Sequence, residues 1–288
     1  MKKLISFAIN DYPGAQNDLQ GCVNDQKNII AHLGSDFGFE AKYFKNSQVT
    51  KQVFRDEVTK LIMFAKSGDI IVIHYSGHGT QLIDKNAEEY DGYDEALYLF
   101  DGAFPDDEFT TILLGIVPGV RCIFIMDCCF SGTITRIIDQ KAKFKPLFSE
   151  VDSDGFPIKR KQRKLEITNL NDSEMNHLVL TGCSDKETSA DALINGSFNG
   201  ALTYAAMKFL DSGITYKEWH RKLLDWLKDK NYSQTPQLEG PDWMKEESVF
   251  GSILIKKECF LKRWFSRKTE QKPVEPPKPP KPPDPKNT

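Results

Sequence analysis

Two stretches of the sequence place reactive side chains directly after apolar runs. "IVIHYSGHGTQ" (71–81) holds two histidines, and "CIFIMDCCFSG" (122–132) holds two adjacent cysteines. Histidines and cysteines bind metal ions, close disulfides or act as a nucleophile with its base. The spacing of these residues and the backbone that carries them decide among the three kinds of chemistry.

The spacing of the histidines argues against a shared metal ion. His74 and His78 are four residues apart, which directs two ligands to one side only on a helix. The residues before them are strand-like, and Gly77 and Gly79 interrupt any helix. On a strand, the two rings would share a face but lie too far apart to chelate one ion. We predict that His74 is structural and that His78 is a loop residue placed like a catalytic base.

The two cysteines differ in their predicted surroundings. Cys129 follows a strand and Asp127 and precedes "TITRIIDQ" (133–140), which can begin a helix. A helix N-terminus and a neighbouring imidazolium both favour the thiolate and lower the pKa of a cysteine. Cys128 alternates to the opposite direction and is predicted to pack in the core. A vicinal disulfide between the two is the third alternative.

The elements that must position these residues follow from the hydrophobic pattern. Apolar runs interpreted as strands cover 4–9, 41–46, 69–77, 120–129, 177–183 and 248–255, and helical spacing covers 22–38, 50–68, 199–213 and 215–231. Continuous apolar strands separated by helices indicate a parallel sheet covered on both faces. The predicted fold class is α/β, a sandwich with reactive groups at the carboxyl ends of its strands.

Two segments depart from this pattern. Residues 139–173 are polar, lysine-rich and without a clean period, which predicts an exposed linker. The end of the chain, "PVEPPKPPKPPDPKNT" (273–288), predicts extended polyproline II. Its PxxP spacing fits an SH3-like partner, whereas its charge and stiffness fit a spacer, which we favour.

Composition excludes several classes of protein. The net charge of -3 over 288 residues excludes a globally basic nucleic-acid binder. No apolar run approaches the roughly 18 residues of a membrane span, and Leu4–Ile9 is too short for a signal peptide. Six cysteines in a chain this long do not make a disulfide framework. We expect a cytoplasmic protein, a monomer without a nucleic-acid partner.

The two reactive stretches resemble the motifs of a known family. "HYSGHG" and "DCCFSG", in that order and each after an apolar strand, resemble the histidine and cysteine motifs of metacaspases, in the caspase clan of cysteine peptidases. Further similar motifs are "LQGCVNDQKNI" (19–29), "EEYDGYDEALY" (88–98), "LTGCSDKETSADA" (180–192) and "QTPQLEG" (234–240). The resemblance covers about residues 1–255 and implies a caspase-like three-layer α/β/α sandwich around a mostly parallel sheet.

The resemblance also implies a division of the chain and a catalytic apparatus. The chain would divide into a large-subunit-like region, 1–138, the linker, 139–173, and a small-subunit-like region, 174–258. A basic and then proline-rich tail, 259–288, follows. Cys129 would be the nucleophile and His78 the general base of an endopeptidase that forms an acyl-enzyme. Backbone N–H groups of Gly79 and Cys129 would bind the oxyanion, and the chemistry requires no cofactor.

Substrate preference is implied by four further positions. The family's S1 pocket, which binds the side chain before the cleaved bond, falls on Cys22, Asp25, Ser76 and Asp127. Two carboxylates in one pocket would pair Lys or Arg and repel aspartate, so protein or peptide substrates with Lys or Arg at the cleaved position are expected. The alternative for Asp25 is a helix-start residue.

That specificity gives the linker a second meaning. "KFK" (143–145) and "KRKQRK" (159–164) offer sites for self-cleavage, with a solvated basic loop as the alternative.

Calcium activation is left open by the sequence. Asp91, Asp106 and Asp107 are candidate ligands, since carboxylate oxygens suit Ca²⁺. A further acidic ligand expected after the nucleophile falls on Arg136, whose charge would oppose the ion.

Three alternatives stand beside the metacaspase-like peptidase. A caspase-clan peptidase of other specificity is disfavoured by the two pocket carboxylates. A pseudopeptidase scaffold that binds basic peptides has no need of His78 and Cys129. A metal-binding module would need His74 and a cysteine to converge on one ion, which strand geometry disfavours.

Overall fold

A computed structural model of the chain describes residues 1–83, 93–128, 140–142, 172, 175–183 and 189–251. The strands are β1 (Lys2–Ala8), β2 (Glu40–Lys45), β3 (Ile70–Ser76), β4 (His78–Ile83), β5 (Tyr93–Leu99), β6 (Gly102–Pro105), β7 (Arg121–Asp127), β8 (Gln140–Ala142), β9 (Leu178–Thr181), β10 (Ala190–Ile194), β11 (Ser197–Gly200) and β12 (Gln237–Glu239). The helices are α1 (Cys22–Phe37), α2 (Lys51–Phe64), α3 (Asp106–Leu113), α4 (Ala201–Lys208), α5 (Tyr216–Asp229) and α6 (Asp242–Lys245).

The centre of the fold is a six-stranded sheet in the order β12-β9-β7-β3-β1-β2. Its strand pairs are parallel except for β12, which runs antiparallel to β9 at one edge. Every residue of β3 is buried, as a strand covered on both faces requires. The mostly parallel sheet predicted from the apolar runs is confirmed.

Helices cover both faces of this sheet. Leu4 of β1 packs in a core that includes Trp219 of α5, whereas Phe7 of the same strand packs in a second core that includes Phe54 of α2. Because neighbouring strand residues point to opposite faces, one apolar strand serves both cores. The three-layer sandwich is therefore confirmed.

Two small antiparallel sheets extend the sandwich. One has the order β4-β5-β6 and the other β11-β10-β8. The second sheet corrects part of the linker prediction, since Gln140–Ala142 pairs with β10 instead of lying in an exposed loop. Residues 143–171, which make up most of the linker, lie outside the described residues.

The predicted closing strand over 248–255 is wrong where the structure describes it. Ser248 makes only an isolated bridge to Thr215, and Phe250 is buried with its backbone at a positive φ of 48°. The apolar run predicted a strand because these side chains are indeed buried, but they fill the core from a turn. The edge strand of the sheet is β12 instead, and residues from 252 onward lie outside the described part.

No helix among the described residues is long and apolar enough to cross a membrane.

Burial of His177 predicts a loss of stability in acid. The ring is 7% exposed beside the start of β9, and burial lowers the pKa of His177 from 6.5 to about 4. The unfolded chain therefore binds a proton between pH 6.5 and 4 that the folded chain does not. We expect His177→Phe to remove about 3 kcal/mol of the fall in unfolding free energy between pH 7 and pH 4.

Urea denaturation at several pH values measures this effect. His32→Gln, which removes an exposed histidine, should keep the wild-type slope. An unchanged slope in His177→Phe would contradict the assignment.

Candidate active site

His78 lies immediately beyond the end of β3 and begins β4, so its prediction as a loop residue is corrected. Gly77 makes the bend between the two strands. A Cβ atom on Gly77 would lie 2.4 Å from the Tyr75 hydroxyl and 2.7 Å from the Tyr12 hydroxyl. A side chain at this position would therefore displace the groups that surround His78.

The imidazole of His78 is held in one orientation. Its Nε2 atom lies 2.7 Å from the backbone carbonyl of Asn17. A carbonyl oxygen can only accept, so Nε2 carries a proton and donates it. In the neutral ring the lone pair therefore belongs to Nδ1, which is then the basic nitrogen. The loop between β1 and α1 thus orients a base that the "HYSGHG" motif supplies.

Two buried tyrosines hold the backbone of His78. Its N–H donates to the Tyr12 hydroxyl at 2.8 Å, and the Tyr75 hydroxyl donates to its carbonyl at 2.8 Å. The Tyr12 ring also packs on the imidazole, with ring centroids 4.8 Å apart. Burial raises the pKa of both Tyr12 and Tyr75 far above the ordinary value, so both hydroxyls stay protonated. Sequence reasoning missed these residues and Asn17.

β7, the strand of the second reactive stretch, ends beside the end of β3, close to His78 in the chain. β3 and β7 pair in register, with Ser76 opposite Asp127, and the Gly77 N–H donates to the Asp127 carbonyl at 3.4 Å. Cys128 is fully buried, as predicted for a core cysteine. The chain then enters Cys129, which lies outside the described residues.

His74 and Gly79 occupy ordinary strand positions. His74 is buried in β3, and its Nδ1 atom lies 2.8 Å from the Ser6 hydroxyl, which fits the predicted structural role. Gly79, predicted to supply an oxyanion N–H, is the second residue of β4 and faces Leu97 of β5.

The four predicted pocket residues are all fully buried: Cys22, Asp25, Ser76 and Asp127. Cys22 begins α1, and Asp25 lies in the first turn of that helix. The Ser76 hydroxyl donates to Asp25 at 2.7 Å, and the Gly200 N–H donates to the other carboxylate oxygen at 2.8 Å. The structure thus brings together the end of β3 and the start of α1.

Asp127 is bound still more extensively. Its carboxylate accepts from the Ser189 hydroxyl at 2.7 Å, from the Thr203 hydroxyl at 2.8 Å and from the Thr203 N–H at 2.9 Å. Gly200 caps α4 and Thr203 lies in its first turn. Both carboxylates therefore bind the amino-terminal end of one helix, where backbone N–H groups and the helix dipole favour negative charge.

The candidate calcium ligands are only partly described. Asp106 and Asp107 are the first two residues of α3, whereas Asp91 and Arg136 lie outside the described residues. Within the described part of the chain, no three acidic, histidine or cysteine side chains group closely enough to hold a metal ion. Those residues alone do not make a calcium site.

Removal of the Asp127 carboxylate should destabilise the fold strongly. Asp127→Ala leaves three buried donors without this acceptor, and we expect the unfolding free energy to fall by about 2–4 kcal/mol in urea denaturation. Thr203→Val removes one donor and keeps the acceptor satisfied, so about 1 kcal/mol is expected. A loss below 1 kcal/mol in Asp127→Ala would contradict this role.

Comparison with known proteins identifies the family. The model of the Caspase domain family, peptidase C14, matches residues 2–245. Metacaspase-1 of Meyerozyma guilliermondii is 29% identical over 283 residues, which cover 82% of this chain and 68% of that protein. Metacaspase-1 of Schizosaccharomyces pombe is 28% identical, over 82% of this chain and 66% of that protein. The chain thus spans about two thirds of the length of these relatives.

Solved structures agree on the fold. A crystal structure of a protein from Geobacter sulfurreducens aligns with a TM-score of 0.66 and 25% identity, over 88% of this chain and 99% of that one. Caspase-1 from Spodoptera frugiperda aligns with a TM-score of 0.55 at 14% identity, over 87% and 90%, a likeness of fold alone. By family match, relatives and fold together, the chain belongs to the metacaspases, within the caspase-domain family of cysteine-type peptidases.

Proposed function

We propose that the protein is a cysteine endopeptidase that cuts after Lys or Arg through Cys129 and His78. The observation that carries the proposal is the orientation of His78, whose Nε2 donates to the Asn17 carbonyl at 2.7 Å, which makes Nδ1 the ring nitrogen proposed to exchange a proton with Cys129. An imidazole fixed in this way is the group that a cysteine nucleophile needs as its base.

The proposed reaction runs in two stages. The Cys129 thiol gives its proton to His78 Nδ1 as its sulfur attacks the substrate carbonyl carbon, and Nδ1 passes that proton to the leaving amine as the peptide C–N bond breaks. Water then gives one proton to Nδ1 as its oxygen attacks the thioester carbon. When the C–S bond breaks, Nδ1 returns that proton to the sulfur, and the carboxylic acid product loses its own proton to solvent. Backbone N–H groups of Gly79 and Cys129 are the proposed donors to the oxyanion.

The proposed preference for Lys or Arg rests on two carboxylates near the catalytic edge. Asp127 ends β7, and Asp25, in the first turn of α1, accepts from Ser76 at the end of β3, the edge from which His78 follows. A guanidinium can approach such a pair with charge complementarity, whereas an aspartate side chain would be repelled. Their common contact with α4 supports a shared, rigid wall for this pocket.

Self-processing and calcium activation belong to the proposal as further predictions. The basic runs 143–145 and 159–164 would be cleaved by a site of this specificity. Calcium would be bound by Asp91, Asp106 and Asp107, and no catalytic step is assigned to it.

Loss of either dyad residue should abolish peptide hydrolysis. Cys129→Ala removes the nucleophile and His78→Ala removes the base, so each should lower kcat/KM on a fluorogenic arginine peptide by at least about 10³-fold. His32→Ala, at an exposed histidine, should keep wild-type activity. More than a tenth of wild-type activity in Cys129→Ala would refute the nucleophile assignment.

The pocket charge should appear as discrimination between arginine and citrulline, its neutral isostere. Wild type should prefer the arginine peptide by at least about 10²-fold in kcat/KM, because buried carboxylates are then left without their cation. Asp25→Asn should reduce that ratio about tenfold. The ratio within one variant is insensitive to the fraction of folded enzyme.

Asp225→Asn, at an exposed position of α5, provides a control outside the proposed pocket, and its ratio should stay that of wild type. Preference of wild type for an aspartate peptide, or an unchanged ratio in Asp25→Asn, would refute the pocket.

A further inference from the structure

An exposed apolar surface lies where α2 ends and where the chain leaves α3. It consists of four side chains, which we call the α2–α3 tip: Met63, Phe64, Leu114 and Val117. Their exposed fractions are 72%, 74%, 81% and 42%. Large apolar side chains exposed to this degree and clustered together mark interaction surfaces rather than ordinary protein surface.

The two segments that carry the tip are joined directly. The Gly68 N–H donates to the Gly119 carbonyl at 2.8 Å, and a Cβ on Gly115 would lie 3.4 Å from Cγ2 of Ile62. Ile62 and Ile116 are buried beneath the surface. The tip is therefore one patch on a fixed backbone, with buried neighbours that hold its side chains outward.

The two segments that carry the tip contain lysines and no acidic residue. Residues 109–120 contain no charged side chain, and within 58–68 the charged residues are Lys60 and Lys66, both exposed. Lys60 lies 3.3 Å from Glu57, which also binds Lys42, so that group keeps a net positive charge.

The nearest acid on the other side does not offset this charge at the surface. Asp69 is 8% exposed, and its carboxylate binds the Met1 amino group and the backbone N–H of Lys66. Exposed apolar side chains beside exposed lysines are complementary to a surface that is negatively charged outside and apolar beneath.

The tip lies at the edge of the sheet opposite to the catalytic groups. Its two segments lead into β3 and β7, whereas Ser76 and Asp127 end those strands. Seven residues of strand separate the two edges by about 20 Å. An occupant of the tip would therefore leave the candidate active site open to substrate.

We propose that the α2–α3 tip docks the protein on membranes that contain anionic lipids. Phe64, Leu114 and Met63 would insert at the boundary of headgroups and acyl chains, and Lys60 and Lys66 would lie among the anionic headgroups. A protein partner would instead be expected to bury these side chains in a pocket and to pair the lysines with carboxylates.

Co-sedimentation with vesicles tests the proposal on the full 288-residue chain. Wild type should bind vesicles of phosphatidylcholine with 30% phosphatidylserine and bind pure phosphatidylcholine about tenfold or more weakly, with the difference lost in high salt. Phe64→Ser with Leu114→Ser should weaken binding at least about tenfold. Lys60→Ala with Lys66→Ala should weaken it about fivefold per lysine and only on anionic vesicles.

Leu193→Ser is the matched control, because this leucine is 59% exposed on β10, away from the tip. It should bind as wild type, and circular dichroism should show every variant folded. Absence of wild-type binding to anionic vesicles would overturn the proposal. Undiminished binding of the Phe64→Ser, Leu114→Ser variant would also overturn it, because lipid binding would then lie elsewhere in the chain. Self-association of the chain through this patch without vesicle binding would overturn it as well.

Discussion

The parallel pairing of β3 with β7 determines where every proposed catalytic group lies. The two strands run in register through seven residue pairs, from Ile70 beside Arg121 to Ser76 beside Asp127. A shift of one strand by one residue would turn its side chains to the other face and move the two reactive motifs apart along the strand direction. Because both strands are buried in apolar cores, such a shift would expose apolar surface. The packing of the sheet therefore fixes the site.

Buried negative charge is the second constraint on the molecule. Asp25 and Asp127 are fully buried, and a carboxylate in that environment is strongly unfavourable unless it is hydrogen-bonded. The fold resolves this by directing the first turn of α4 at both of them. The same contacts link α1 and β7 with a helix that begins more than 70 residues after β7 ends. Charge in the candidate pocket and cohesion of the two regions therefore depend on the same atoms.

The main sheet could be predicted because its strands are buried on both faces. β1, β3 and β7 are continuous apolar runs, and that pattern has few other interpretations. β4 begins "HGTQLI" and β12 is only three residues long, so neither carries a comparable signal. The apolar run around Phe250 predicts a strand, although the backbone there is a turn, because an apolar run indicates burial and not backbone conformation.

The site residues, too, fall into those that the sequence predicts and those that it does not. His78 and Cys129 stand in short motifs that can be recognised one residue at a time. Tyr12, Ser189 and Thr203 act through contacts to residues more than 60 positions away, and single tyrosine, serine or threonine residues have no pattern that predicts such contacts. The carbonyl of Asn17 is invisible to sequence reasoning altogether, because every residue has one.

The strand order means that an intact linker is not needed to hold the two parts of the sheet together. β9, which follows the linker, lies parallel beside β7, which precedes it, and β8 from the linker's start pairs with β10. A single break between residues 143 and 171 would thus leave two chain fragments that share one sheet and one pair of cores. Such fragments would be held together as a noncovalent complex by the strand pairs and the two shared cores. Continuity of the backbone is therefore not what holds this molecule in its folded form.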